Sequence, residues 1–67
     1  MKFSYNPLWN LLIDRGLNKA QLRKMTDISS ATLSKLNKSE NVTTDILLRI
    51  CEALDCDLSD IVEIVRD

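Results

Sequence analysis

Ser30, Ala31, Ser34, Lys35 and Lys38 recur at intervals that gather them on one side of a helix. Two hydroxyls, a methyl group and two ammonium groups make a surface of hydrogen-bond donors and positive charge. The wider charge pattern agrees with that surface. Residues 1–38 carry seven basic residues (Lys2, Arg15, Lys19, Arg23, Lys24, Lys35, Lys38) against two acidic ones (Asp14, Asp27), whereas residues 39–67 carry two basic against eight acidic. The net charge of −1 therefore hides a polarised chain, one half of which suits a polyanion while the other half is repelled by it.

Other chemistries are excluded by what the 67 residues lack. There is no histidine, so a Ser-His-Asp triad, a Cys-His pair and a Cys₂His₂ zinc site are all impossible. Cys51 and Cys56 are too few for a metal site by themselves, and a single glycine leaves no Gly-rich phosphate loop. The expectation is a protein that is not an enzyme, with no metal and no cofactor. The cysteines read as reduced thiols of a cytoplasmic protein, Cys51 on a core-facing position. The longest apolar runs, Leu11 to Ile13 and Ile46 to Leu48, are too short to span a bilayer, and no secretory signal opens the chain.

One glycine and one proline argue against a fold of many tight turns and predict helices. Asn6 is placed to cap a first helix over 7–15, with Pro7 at its first position and Gly16 as its stop. Asn18, Ser29, Thr43 and Asp57 each stand at a cap position. Each lies between apolar residues spaced as a hydrophobic staple: Leu17 and Leu22, Ile28 and Leu33, Val42 and Leu47, Cys56 and Ile61. They predict helices starting near residues 19, 30, 44 and 58, the fourth ending at Leu54, so the expectation is an all-α fold of five helices in one domain, 1–67. Residues 2–5 alternate polar and apolar, and 64–66 are β-branched in part. Both ends read as short strands able to pair.

The second helix, from Lys19 to Met25 or Thr26, and the third, from Ser30 to Leu36, are separated by Asp27, Ile28 and Ser29 alone. So tight a connection forces a steep crossing, the helix-turn-helix unit, here about 18–37. Leu22, Ile28, Leu33 and Leu36 are the apolar residues available to pin the pair. The stretch Leu17-Asn18-Lys19-Ala20-Gln21-Leu22 and then Ile28-Ser29-Ser30-Ala31-Thr32-Leu33-Ser34-Lys35-Leu36 resembles the Cro and lambda-repressor type of DNA-binding domain, the XRE family. The likeness continues through Val42–Leu54 and Asp57–Val62. It is strongest to a compact subgroup of regulators from Gram-positive bacteria and their mobile elements. The chain departs from the family pattern at Lys19, usually Gln; at Arg23, usually a small residue; and at Asp27 and Ser39, usually Gly.

The resemblance implies a sequence-specific regulator of transcription, a repressor, whose third helix enters the major groove of double-stranded DNA. Lys35 then donates to guanine O6 and N7, Ser30 and Ser34 meet base edges, and the Ala31 methyl meets a thymine methyl. Lys19, Thr32, Lys38 and Asn41 contact phosphates. One unit reads only a few base pairs, so a homodimer on inverted half-sites is expected. Its contacts would come from the apolar residues near the two ends, such as Phe3, Tyr5, Trp9, Ile61 and Ile64. The alternative is an antitoxin-like module that uses the same fold to bind protein, favoured by the acidic second half.

Overall fold

A computed structural model describes residues 1–66; Asp67 lies outside the described residues. In chain order it forms β1 (Lys2–Ser4), α1 (Asn6–Asp14), α2 (Lys19–Thr26), α3 (Ser30–Asn37), α4 (Thr44–Leu54), a single 3₁₀ turn (Leu58–Asp60) and β2 (Glu63–Val65).

Three helices start where a polar side chain takes an otherwise unpartnered backbone N–H. Asn18 Oδ1 accepts from the N–H of Gln21 at 2.8 Å, and Gln21 Oε1 accepts from the N–H of Asn18 at 2.8 Å, a reciprocal capping box. Ser29 Oγ accepts from Thr32 N–H at 3.1 Å, and Thr43 Oγ1 from Ile46 N–H at 3.3 Å. α1 differs from expectation. It spans 6–14 rather than 7–15, Tyr5 is its N-cap residue, and Asn6 caps nothing. Ser4 does that work instead, its buried Oγ accepting the Asn6 N–H at 3.2 Å.

The helix ends share a left-handed residue at or just beyond the last turn: Gly16 (φ 66°), Asp27 (φ 55°), Ser39 (φ 56°) and Asp55 (φ 50°). After α4 the Cys56 N–H returns to the Cys51 carbonyl at 3.1 Å, the six-to-one bond of a Schellman motif. The Arg15 guanidinium donates to the carbonyl of Leu54, which sets a cation on the negative end of α4.

The fifth helix is not formed, and the helix count is four. Only Leu58–Asp60 coil, as one 3₁₀ turn, with Asp60 Oδ2 accepting from the Asp57 N–H at 2.9 Å. The next residues explain the stop. Ile61 must drop fully into the core, and the β-branched Ile64 and Val65 lie in a strand, where such side chains are favoured. That strand pairs antiparallel with β1 within the same chain, Lys2 opposite Val65, Phe3 opposite Ile64 and Ser4 opposite Glu63. The fold is thus four helices with a two-stranded sheet, and the terminal strands expected near 2–5 and 64–66 do pair.

Leu8, Leu12, Leu22, Ile28, Leu36, Ile50, Leu54 and Ile61, with Tyr5, form one core. Burying such a side chain stabilises the fold by roughly 1.5–3 kcal/mol. Tyr5 is satisfied at its polar tip, its hydroxyl donating to the Glu40 carbonyl at 2.9 Å. α2 packs on α3 and α4, and both α1 and α4 pack on the 3₁₀ turn. Cys51 and Cys56 are free thiols, half-buried against the core rather than within it. No helix of the described residues is long and apolar enough to cross a membrane.

Candidate nucleic-acid interface

The α2–α3 connection holds its shape through its own three residues. Asp27 adopts the left-handed conformation the turn needs, which Asp tolerates better than most residues because its short polar side chain bonds locally. Ile28 is buried beneath the turn, and Ser29 caps α3. The neighbouring Thr26 is also buried, with its hydroxyl donating to the Leu22 carbonyl at 2.7 Å. Of the four apolar residues expected to pin the two helices, Leu22, Ile28 and Leu36 are buried and Leu33 is half-buried.

That seating decides what α3 presents. At 3.6 residues per turn, Ser30, Ala31, Ser34, Lys35 and Lys38 lie on the side away from Leu36. Ser30, Ala31, Lys35 and Lys38 are exposed, and Ser34 is half-buried. Thr32 falls toward the Leu36 side. It is half-buried, with its hydroxyl 3.0 Å from Ser29 Oγ. Lys38 is the C-cap residue of α3, its N–H bonded back to Ser34 and Lys35 carbonyls. Asn41 is exposed in the loop to α4, beside a surface hollow shared with Lys2, Phe3 and Ile64.

Lys19 is exposed at the start of α2, yet its ammonium is held. Nζ donates to Asn37 Oδ1 at 2.6 Å and stands 4.3 Å from the centre of the Trp9 ring. Asn37 and Trp9 did not emerge from the sequence as site residues. Asn37 lies one residue past the expected end of the third helix, and Trp9 reads there as an apolar residue for a dimer contact, not as a partner of Lys19.

Among the described residues, no carboxylate pairs with the exposed bases on α2 and α3. Among the described residues, the ion pair within 4 Å is on α4, where Arg49 Nε lies 3.2 Å from Asp45 Oδ2. Lys19, Arg23, Lys24, Lys35 and Lys38 thus give the helix-turn-helix unit and its C-cap five basic side chains against the single acidic Asp27, while most of the acidic residues belong to α4 and the C-terminal segment after it. Among the described residues, no group of three or more Cys, Asp or Glu side chains is arranged to hold a metal ion.

No curated protein matches the chain. Among solved structures, the transcriptional regulator VanUg is similar to it at 48% sequence identity and a TM-score of 0.95, over 98% of this chain and 88% of that one. The model of the Cro/C1-type helix-turn-helix DNA-binding domain matches residues 7–67. A capped α2, a left-handed turn and a basic α3 face thus occur within a sequence that follows this family nearly from end to end, and the chain belongs to the Cro/C1-type helix-turn-helix DNA-binding family.

Proposed function

We propose that the chain is a transcriptional repressor of the cytoplasm that reads operator DNA with α3 in the major groove and binds as a homodimer. The observation that carries this reading is the exposed face of α3, polar and basic and free of carboxylates, in a chain of a DNA-binding family. Its similarity to a transcriptional regulator supports the regulatory role. Lys35 donates to a guanine edge, Ser30 and Ser34 to adjacent edges, and Ala31 packs on a thymine methyl. Lys19, Lys38, Asn41 and Thr32 serve phosphates, Thr32 from its place at the capped start of α3. A second copy is supported by the apolar side chains left outside once the core is filled. Phe3 and Ile64 form an exposed cross-strand pair, and Leu48 and Leu58 flank a hollow on α4. Tyr5 and Ile61, by contrast, are consumed by the core.

Binding sites selected from a random duplex pool, titrated with wild-type and variant protein, test the reading. Lys35→Ala is expected to lose about 1–3 kcal/mol on the selected site and relax preference at one base pair. Lys38→Ala is expected to weaken all duplexes alike and make the salt slope shallower by about one unit. The same titration should saturate at two chains per duplex. Uniform losses in both variants with unchanged preference would refute the placement of α3, and one chain per selected site would refute the dimer.

A further inference from the structure

Three elements meet at the ammonium of Lys19: α1 through Trp9, α2 through Lys19 itself and α3 through its last residue, Asn37. A surface lysine ordinarily samples many rotamers, and ordering it costs entropy. Here the ammonium is fixed by a ring face at 4.3 Å and by an amide oxygen at 2.6 Å. Both of these partners are neutral, and no carboxylate pairs with Lys19 among the described residues. The charge is localised without being compensated.

Asn37 is the telling member. It spends Oδ1 on Lys19, which leaves its two amide protons without a partner among the described residues, on an exposed side chain. A tie that served only to join helix ends would be stronger with a carboxylate at this position, because charge-assisted hydrogen bonds exceed neutral ones. The amide instead holds the ammonium and keeps donors for a third group. An anion bonded by Lys19 Nζ and Asn37 Nδ2 together would meet one positive charge and two kinds of N–H donor. The potential there is further raised by the unbonded N–H groups at the start of α2.

We infer that Trp9, Lys19 and Asn37 form a preassembled seat for one backbone phosphate of the duplex. Trp9 and Asn37 act as positioning groups for the ammonium, and Asn37 also donates to the phosphate. This rests on the DNA-binding reading and adds Asn37, beside Lys38 at the C-terminal end of α3, to the groups that meet phosphate.

Fluorescence anisotropy of a labelled duplex against salt concentration tests it, with thermal unfolding of each variant measured alongside. Asn37→Asp sets a carboxylate against the ammonium and withdraws it from phosphate. Its salt slope is expected to be shallower by about one unit, so that affinity falls about threefold less than in wild type between roughly 50 and 200 mM salt. Its affinity at low salt is expected to drop while its unfolding midpoint is unchanged or higher. Lys19→Gln is expected to show the same loss of slope, and the double variant no further loss. Wild-type slope and affinity in Asn37→Asp would overturn the seat. So would a loss of affinity with an unchanged slope, which marks a packing effect. A wild-type chain that binds no duplex at low salt would overturn the DNA-binding reading, and the seat with it.

Discussion

Replacing Ser29 by alanine removes the cap of the helix that carries the proposed reading surface, and its effect can be worked from the structure. The first three N–H groups of α3, on Ser30, Ala31 and Thr32, have no carbonyl one turn back. Thr32 N–H is met by Ser29 Oγ at 3.1 Å, and the regular pattern begins with Leu33 N–H on the Ser29 carbonyl at 3.0 Å. Alanine leaves Thr32 N–H to water. Ser29 is exposed, so the loss is expected near the middle of the usual range, about 1 kcal/mol. A 67-residue domain has a total stability of only about 3–10 kcal/mol. In so small a protein 1 kcal/mol lowers the melting midpoint by about 4–8 °C. Thermal unfolding followed by circular dichroism in the absence of DNA reads this directly. Ser29→Asp, which keeps an accepting oxygen at the positive end of the helix, should melt close to wild type. DNA affinity should fall by no more than about fivefold in Ser29→Ala, because the first turn must reorder on binding and that costs at most the lost cap. A midpoint within about 2 °C of wild type for Ser29→Ala would refute the view that this side chain secures α3.

Ser39→Gly should raise the unfolding midpoint in denaturant. The left-handed φ of 56° costs a serine about 1–2 kcal/mol, and the added flexibility of glycine in the unfolded chain offsets roughly half of that. Gly16→Ala should do the reverse by a similar amount, since its φ of 66° is strained for alanine although no atom lies within 4 Å of the new methyl. Cys56 should resist alkylation at neutral pH and gain reactivity as the pH climbs toward 11. Burial first, and then the neighbouring Cys51, push its thiol up to about 11. The folded protein thus holds this proton more tightly than the unfolded chain does. The resulting contribution to stability is fully present below about pH 9 and is lost as the pH rises through about 11. Burial raises the Tyr5 hydroxyl in the same direction, so melting midpoints measured up the alkaline limb should decline. Midpoints that rise over this interval would contradict the burial of both groups.

Much of the local structure was legible because its causes are local. Asn18, Ser29 and Thr43 each cap by reaching three residues along the chain, and a sequence displays such neighbours directly. The stop at Gly16 follows from the same short-range logic. Together they placed α2, α3 and α4, and with them the side of α3 on which Ser30, Ala31, Ser34 and Lys35 lie. Two features escaped because distant residues decide them. Asp57 has the look of a helix cap, but Ile61 must fill the core and 63–65 must reach β1, some sixty residues away in sequence, so the helix ends after one turn. The hold on Lys19 likewise needs Trp9 and Asn37, ten residues before it and eighteen after it. Cap and stop signals set where helices begin and end along the chain. Which helix ends come within hydrogen-bonding reach of one another is settled by the packing of the core, whose energetics no short stretch of sequence contains.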